Sequence, residues 1–271
     1  METRNHHKNG EFLDSQQSGK NILIIQIMTD KKVFVASEEN KAKAKQLRLF
    51  AILAWVVAIA AQIFAIFKLI SNETLVWLVV VIVIILALAI VASMLWKKAN
   101  RLDPASEKDK VRFFFQNQFG AIMGVLAFLP LVILIFMNKN IDGKTKGIAG
   151  TIAVIAMLAA GITGVDFNPA SIEKYSKEIN EQTTQLKKIN FDNDNVYWTS
   201  AGNKYHIYED CQHIKGRAEI SNGTVKESWE KKGISELCKT CEKKAVKENS
   251  VSEQDAETLL ESVTDTLGNN Q

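Results

Sequence analysis

The chain has 271 residues, of which 47% are hydrophobic and 23% are charged, and its formal net charge is +3. So small a charge does not indicate a nucleic-acid-binding protein, and the averages resemble those of a soluble protein. They hide a division along the chain, because apolar runs dominate residues 49–165 whereas residues 166–271 are polar and charged. The composition therefore indicates a protein class only when the two parts are considered separately.

Residues 1–48 form an N-terminal region ahead of the apolar runs. A basic start typical of a membrane protein is found at Met28, in the sequence MTDKKVFVASEENKAKAKQLR. Residues 1–27 are polar and then β-like without a second strand, so we expect them to be disordered or to precede the true start, and Met1 and Met28 remain alternatives. The first apolar run is too long for a secretory signal peptide and lacks a small-residue cleavage site.

Four apolar runs follow, each long enough to cross a hydrocarbon core of about 30 Å as a helix. No acid, arginine or histidine occurs in any of them, which argues against buried helices of a soluble domain. We therefore predict an α-helical polytopic membrane domain anchored in the lipid bilayer. Its spans are residues 49–70, 74–96, 119–137 and 147–165.

The short loops indicate the orientation of these spans. Basic residues are concentrated before span one and between spans two and three, whereas the loop between spans one and two carries none. Three lysines lie between spans three and four, fewer than on the opposite side. Because short cytoplasmic loops are enriched in lysine and arginine, we expect both termini of this multi-pass protein to be cytoplasmic.

Small residues line one face of span one and one face of span four. Such residues let helix backbones approach closely, so we expect these faces to seat helices against each other or across a homo-oligomer. The faces consist of Ala51, Ala54, Ala58, Ala61 and Ala65 in span one, and of Ala149, Ala153, Ala156, Ala160 and Gly164 in span four.

Transport is the weaker hypothesis for the membrane domain. Substrate and ion pathways usually need ionisable groups inside the membrane, and the spans offer only Gln62 and Ser93 as interior polar groups. Lys68 is close enough to a span end to reach the interface. Pro130 is expected to kink span three, but a kink alone is not a pathway.

Residues 166–191 are predicted to form a helical stalk, with a helix-start signal at residues 168–171. Its apolar residues follow heptad spacing over fewer than three heptads, which is marginal for a coiled coil. The helix over residues 172–189 is therefore interpreted as a stalk capable of self-association. Its apolar positions are Ile172, Tyr175, Ile179, Leu186 and Ile189.

Residues 195–242 predict a small α+β domain. VYWT and KYHIY are two short strands joined by the turn sequence SAGN, and this hairpin places His206 on its second strand and Cys211 just beyond it. GTVKESWEKKGI predicts a helix that ends near Gly233, and CKTC follows as a tight turn.

All three cysteines of the chain lie in this domain and, with one histidine, form two close pairs. The pairs are His206-x4-Cys211 and Cys238-x2-Cys241, and four sulfur or imidazole ligands are what a tetrahedral Zn²⁺ site requires. With all four positions held by the protein, the ion is predicted to be structural rather than catalytic. Three unrelated thiols are one alternative. A Cys238–Cys241 disulfide is another, disfavoured in a reducing cytosol.

His213 competes with His206 for the fourth ligand position. It lies only two residues from Cys211, an awkward reach on an extended segment, so His206 is favoured. The remaining histidines, His6 and His7, are expected to be solvated. No catalytic residue is predicted, because hydrolysis at the metal would need an open coordination position and a nearby base.

VYWTSAGNKYHIYEDCQHIKGRAEI and the later ELCKTC resemble a small zinc-ribbon-type module found in many bacterial proteins. The resemblance covers residues 196–241 and implies the ligand set His206, Cys211, Cys238 and Cys241. Similar modules are appended to extracellular nucleases, competence proteins and uncharacterised membrane proteins. With LWKKANRLDPASEKDK and FFFQNQFGAI, the chain also resembles an uncharacterised family of four-span bacterial membrane proteins, which implies a bacterial inner membrane and no established activity.

Residues 243–271 predict a tail with an amphipathic helix. Ser252 and Asp255 form a capping box, and an apolar face follows that is suited to docking on the zinc-ribbon-like domain or on a partner. The face consists of Ala256, Leu259, Leu260, Val263 and Leu267.

The leading functional interpretation is a bacterial integral membrane protein whose cytoplasmic structural-zinc domain binds or scaffolds a cytoplasmic macromolecule, either a protein or a nucleic acid. The alternative is a membrane-tethered nucleic-acid-binding or nuclease-associated factor, because several basic residues give this domain positive surface. An enzymatic activity is not expected. The basic residues are Lys204, Lys215, Arg217, Lys226, Lys231 and Lys232.

Overall fold

The computed structural model describes residues 32–250, and this part of the chain is mostly helical. The features predicted for residues 1–27 and for the tail beyond residue 250 lie outside the described residues. Its elements are α1 (Glu38–Lys68), α2 (Leu75–Leu102), α3 (Lys110–Leu126), α4 (Leu129–Met137), α5 (Gly143–Gly164), α6 (Ile172–Ile189), β1 (Asn195–Thr199), β2 (Lys204–Tyr205), β3 (Ile220–Thr224), α7 (Val225–Lys232), β4 (Glu236–Leu237) and α8, helical over residues 239–250.

Four helices are long enough and apolar enough to cross a membrane: α1, α2, the α3–α4 pair over Lys110–Met137, and α5. Each contains most of one predicted span. Together they form a bundle in which α1 packs on α2, while α5 packs on α2 and α3. We call the basic end the end of the bundle at which α1 and α3 begin and α2 and α5 end, because most of its charged residues are lysine and arginine.

The bundle has large apolar residues on its outer surface as well as in its interior, where alanines and glycines lie among them. Phe67 and Val76, for example, are 78% and 73% exposed, and similar side chains cover the outer faces of all four helices. Soluble monomers rarely present apolar surface of this extent. This distribution suits a bundle whose outer surface faces an apolar medium rather than water.

Both predicted small-residue faces are buried in contacts between helices of the same chain. Ala51, Ala58 and Ala65 of α1 are fully buried, and so are Ala149 and Ala153 of α5. They seat α1 against α2, and α5 against α2 and α3, instead of joining spans one and four directly. Association of two copies through these faces remains a prediction.

Glycines allow α3 and α5 to cross with their backbones in contact. A Cβ atom on Gly164 would lie 2.4 Å from the backbone nitrogen of Ala121, and one on Gly124 would lie 2.7 Å from the carbonyl oxygen of Ala160. No larger residue fits at either position without separating the helices.

Pro130 interrupts the third span, as the sequence predicted. It occupies the first turn of α4, and α3 ends at Leu126. Proline has no backbone N–H and clashes with the preceding turn, so a continuous helix cannot pass this point.

More polar groups are buried in the bundle than the sequence indicated. Gln62 and Ser93 are buried, but so are Asn100, Gln116 and Asn117 near the basic end. The side-chain amides of these last three donate to the backbone carbonyls of Gln116, Asp103 and Phe113, respectively. The first two therefore connect α2 and α3 near the basic end, since Asn100 donates from α2 to α3 and Gln116 donates from α3 to the end of α2.

The predicted stalk helix is present as α6, but it does not project freely. Ser171 caps its N-terminus by accepting a hydrogen bond from the backbone N–H of Lys174. The apolar face is covered by the same chain, because Tyr175 and Ile179 pack with Phe34 and Trp229. Self-association through this face would have to displace those contacts, and it remains a prediction.

Residues 32–37, which we call the N-terminal clamp, tie α6 and α7 to the basic end of the bundle. The backbone N–H of Phe34 donates to Ser176 at 2.9 Å, and that of Val35 donates to Glu230 at 2.7 Å. The ring of Phe34 meets that of Tyr175 edge-on, with centroids 5.1 Å apart, and Tyr175 in turn lies 5.3 Å from Trp229. The clamp continues directly into α1.

Residues 195–250 form a small α+β unit, which we call the module. The predicted hairpin is present as a single bridge between Tyr197 and His206, with two N–H···O hydrogen bonds of 2.7 Å. The longer partner of β1 is β3, antiparallel to it, which the sequence did not predict. As predicted, α7 ends at Gly233, whose φ of 68° is left-handed. The core contains Val196, Trp198 and other large residues.

Candidate metal centre

A short parallel strand pair brings the two halves of the predicted metal site together. β2 pairs with β4 so that Tyr205 lies opposite Leu237, and the backbone N–H of Cys238 donates to the carbonyl oxygen of Tyr205 at 2.9 Å. His206 follows one strand and Cys238 follows the other. The pairing therefore places these two side chains next to each other although 31 residues separate them in the chain.

Local turns position the other two cysteines. The Cys211 N–H donates to the carbonyl oxygen of Tyr208 at 3.2 Å, and the Cys211 carbonyl accepts from Ile214 and Lys215 at 2.9 and 2.8 Å. Cys241 lies in the first turn of α8, which begins directly after Cys238. The C-x-x-C pair therefore belongs to a helix start rather than to a free loop.

Four ligand atoms converge in this arrangement. One atom each from His206, Cys211, Cys238 and Cys241 lies within 4.8 Å of all the others, and the Nδ1 atom of His206 is 3.7 Å from the Cys241 sulfur. Ligands of a tetrahedral zinc ion stand about 3.5–3.8 Å apart, as its bond lengths of about 2.0–2.3 Å require. The three cysteines are free of disulfides, and all four residues are buried. The cluster could therefore hold a metal ion.

The pKa values of Cys238 and His206 are shifted toward the forms that bind a metal, whereas that of Cys241 is shifted toward the neutral thiol. Burial acts to raise the pKa of the Cys238 thiol, but the backbone N–H groups of Cys241 and Thr240, with the neighbouring thiols, hold it below the ordinary cysteine value. Burial raises the pKa of Cys241 to about 12. Burial and the nearby His213 lower the pKa of His206, which favours the neutral imidazole that metals bind. A cation would compensate the buried negative charge of thiolates.

His213, the competing candidate, lies outside the cluster. Its side chain is exposed, its Nε2 atom is 3.1 Å from the hydroxyl oxygen of Thr240, and its ring centroid is 6.4 Å from that of His206. Of the two histidines, the structure thus brings His206 to the three cysteines.

A cleft of about 670 Å³ opens beside the metal centre. Its walls are the β1–β2 turn, residues 213–219 and the first turn of α8. Each wall adjoins one ligand: His206, Cys211 and Cys238, respectively. A metal ion would therefore fix the three walls relative to one another.

The charged residues of this cleft are only partly those singled out in the sequence. Lys204 and Arg217 line it, as do Lys239 and Glu219, which sequence reasoning missed. An exposed Lys239 could have been predicted from the sequence, because the middle residues of a C-x-x-C turn point away from the ion that its cysteines bind.

The positive surface expected for nucleic-acid binding is interrupted by ion pairs. Lys204 pairs with Glu236 at 2.7 Å. On α7, lysines 226 and 231 pair with acids four residues away at 3.6 and 3.2 Å. Lys215, Arg217 and Lys232 form no ion pair within residues 32–250. Half of the predicted cations are thus neutralised, and the rest do not form a continuous stripe.

No family model, no curated protein and no solved structure matches this chain. The resemblances to a zinc-ribbon module and to a four-span bacterial membrane family accordingly remain predictions, and function has to be inferred from the geometry of the chain itself.

Proposed function

We propose that this chain is an integral membrane protein of a bacterial inner membrane, in which four helices hold a zinc-ribbon-like module at the cytoplasmic face and the module binds a cytoplasmic protein. The observation that carries the proposal is the convergence of four buried ligand atoms within 4.8 Å, in a module attached to the basic end of an apolar bundle. Catalysis is not part of the proposed role.

The ligand set favours a structural zinc ion. Three thiolates and one imidazole form a soft, closed tetrahedron, which suits zinc and leaves no coordination position for water. Independent support comes from size, because the core of a unit below about 70 residues rarely supplies more than about 3–5 kcal/mol of stability, and a metal ion commonly adds to it. The module has a core of large side chains, but no disulfide among its described residues.

The bundle supports the membrane part of the proposal. Its exposed apolar side chains would face the acyl chains, while its interior alanines and glycines provide the close backbone packing typical of membrane helices. The concentration of lysine and arginine at the basic end favours a cytoplasmic position for that end and for the module attached to it.

The cleft beside the metal is the proposed recognition surface. Arg217 and Lys239 contribute positive charge there and Glu219 negative charge, so the lining is mixed in sign. A mixed lining suits a polar protein segment better than a nucleic-acid backbone, which selects for uniformly positive surface. The ion pairs of Lys204, Lys226 and Lys231 favour the same choice.

The metal part is tested on the full-length protein purified in detergent without added metal. We expect elemental analysis to find about one zinc ion per chain, as a closed four-ligand site requires. His206→Ala should lose the ion, and the matched control His213→Ala should retain it. Zinc-free wild-type protein, or equal zinc content in the two variants, would contradict the proposal.

The recognition part is tested by cross-linking in intact cells, with a photoreactive amino acid at exposed Ala218 in the cleft. We expect a protein adduct that disappears in the double variant Arg217→Glu/Lys239→Glu and persists in Lys243→Glu/Lys247→Glu on the outer surface of α8. Adducts that are equal in all three proteins would exclude the cleft as the binding surface, and steeply salt-dependent cross-linking to RNA or DNA would favour the nucleic-acid alternative.

A further inference from the structure

A second cavity, of about 460 Å³, lies where the module meets the basic end of the bundle. It is separate from the metal centre and has no assigned role. The bundle contributes the start of α1 and the end of α2 to its walls. The remaining walls come from the clamp, from α6 with the residues just before it, and from α7 with the residues just after it. Residues that define it are Asn40, Arg101, Lys174, Tyr175, Trp229 and Lys232.

Positive charge predominates in this junction cavity. Arg101, Lys174 and Lys232 come from three different helices, and none of them forms an ion pair among the described residues. The Nζ atom of Lys174 donates to the side-chain oxygen of Asn168 at 2.6 Å. Glu178 is the acid in the lining, so three cations face one carboxylate.

Two further acids lie close by without lining the cavity: Glu39, and the buried Asp166, whose charge acts on Tyr175. Glu39 is near enough to Lys232 to interact electrostatically, but its carboxylate is already bonded to Lys43 at 2.6 Å. With Glu178 and Asp166 set against three cations, the cavity keeps an excess of one positive charge. Such a convergence suits an anionic ligand, and a phosphate group in particular, because lysine and arginine both bind phosphate through charge-assisted hydrogen bonds.

The position of the cavity along the bundle indicates where that phosphate comes from. The apolar run of the second span ends at Trp96, and Arg101 follows five residues later, about 7.5 Å further along the helix. The headgroup layer of a bilayer extends about 5–7 Å beyond the hydrocarbon core. If the bundle crosses the membrane as proposed, Arg101 lies at the depth of the lipid phosphates.

We infer that the junction cavity binds the phosphate of an anionic phospholipid headgroup. The inference rests on the proposed membrane anchoring of the bundle, but not on the metal or on the partner of the cleft. Arg101 belongs to the bundle, whereas Lys232 belongs to the module and Lys174 to the connecting helix. A bound headgroup therefore bridges the two halves of the protein and holds the module against the membrane surface.

The test uses full-length protein in detergent, titrated separately with phosphatidylglycerol, phosphatidylcholine and inorganic phosphate, with binding followed by native mass spectrometry. The test variant is Arg101→Gln/Lys174→Gln/Lys232→Gln. The matched control, Lys215→Gln/Lys243→Gln/Lys247→Gln, removes the same charge from exposed positions of the module that do not line the cavity. Each cation near an anionic lipid contributes about fivefold in affinity, so we expect on the order of a hundredfold weaker phosphatidylglycerol binding in the test variant alone.

Zinc content measured on the same samples separates this inference from the proposed function. Zinc retained by both variants shows that they are folded. If the wild type contains no zinc but still binds phosphatidylglycerol selectively, only the metal part of the proposed function is overturned. Equal affinity for the two lipids, or equal loss in both variants, would overturn the lipid site. Inorganic phosphate bound as tightly as phosphatidylglycerol, and lost in the test variant, would assign the cavity to a free phosphate compound instead.

Discussion

The bundle presents large apolar side chains on its outer surface, whereas the module keeps most of its large apolar side chains inside. In the bundle, Ala58 and Ala153 are fully buried while Phe67 is 78% exposed. In the module, Trp198 and Val196 are buried, and the surface is largely charged. One chain thus contains two units that are built for different solvents, and the boundary between them lies at the basic end.

The difference extends to what stabilises each unit. Close contact between helix backbones contributes to the stability of the bundle, and glycines at the α3–α5 crossing make that contact possible. The module has a small core and leaves four potential metal ligands buried at its centre. We therefore expect the two units to respond independently to perturbations, and the following experiments test that independence from the largest expected effect to the smallest.

Removal of the metal should separate the two units most clearly. Cys238→Ser, or treatment with a strong chelator, should unfold the module, because structural zinc contributes about 10–16 kcal/mol, comparable with the whole stability of a small domain. The bundle should remain folded. Limited trypsin digestion would detect this as rapid cleavage within residues 195–250 with a protected fragment over residues 38–164.

The matched control for this experiment is Thr240→Ser, an exposed change within the same C-x-x-C turn. It should leave the digestion pattern of the wild type unchanged. A metal-free module that resists trypsin would show that its apolar core suffices, and the contrast between the two units would then disappear.

Weakening the clamp should affect the contact between the units and neither unit alone. Phe34 is 2% exposed and packs on Tyr175, so Phe34→Ala should cost about 3–5 kcal/mol at the junction. Hydrogen exchange should become faster in residues 32–37 and α6, with the zinc content unchanged. The neighbouring Val33→Ala, at a position 54% exposed, should leave exchange unaffected. Equal exchange in both variants would rule out the clamp as the coupling element.

The α3–α5 crossing should respond to a single methyl group. Gly164→Ala forces a Cβ atom to within 2.4 Å of the backbone of Ala121, and overpacking of this kind costs about 1–3 kcal/mol. Gly147→Ala on the same helix has open space and serves as the control. Thermal unfolding in detergent should show a lower bundle transition for Gly164→Ala alone. Loss of zinc from this variant would disprove the independence of the two units.

The smallest expected effect concerns the start of α6. The Ser171 hydroxyl accepts a hydrogen bond from the Lys174 N–H at 3.0 Å, and Ser171→Ala should cost about 1 kcal/mol. The exposed Ser200→Ala is the control. Denaturant unfolding followed by circular dichroism would register a small shift of the helical transition for Ser171→Ala, and identical curves would show that the cap contributes nothing there.

Local features of the fold could be predicted from the sequence, whereas long-range pairings could not. The apolar helices are visible because hydrophobicity over about 20 residues is a local property. The ligand cluster could be predicted because the spacings His206-x4-Cys211 and Cys238-x2-Cys241 each hold two ligands close together along the chain. β3 was missed, since ISNGT lacks the alternation of a half-buried strand and is positioned by its partner β1.

Long-range contacts also explain why the partner helices of the small-residue faces, and the clamp as a whole, were not predicted. Alanine stripes indicate close packing, but they do not say which helix fills them. Phe34 gave no signal either, because its partner Trp229 is distant in the chain and neither residue belongs to a motif. Non-local contacts of this kind depend on the whole fold.

The clamp also has a consequence for how the protein is made. The hydrogen bond between Val35 and Glu230 joins residues 195 positions apart. At a synthesis rate of about 5–20 residues per second, Val35 leaves the ribosome roughly 10–40 seconds before its acceptor does. All four apolar helices have been translated by that time. The junction is therefore among the last contacts to form, and it is completed only after the ribosome has delivered both halves.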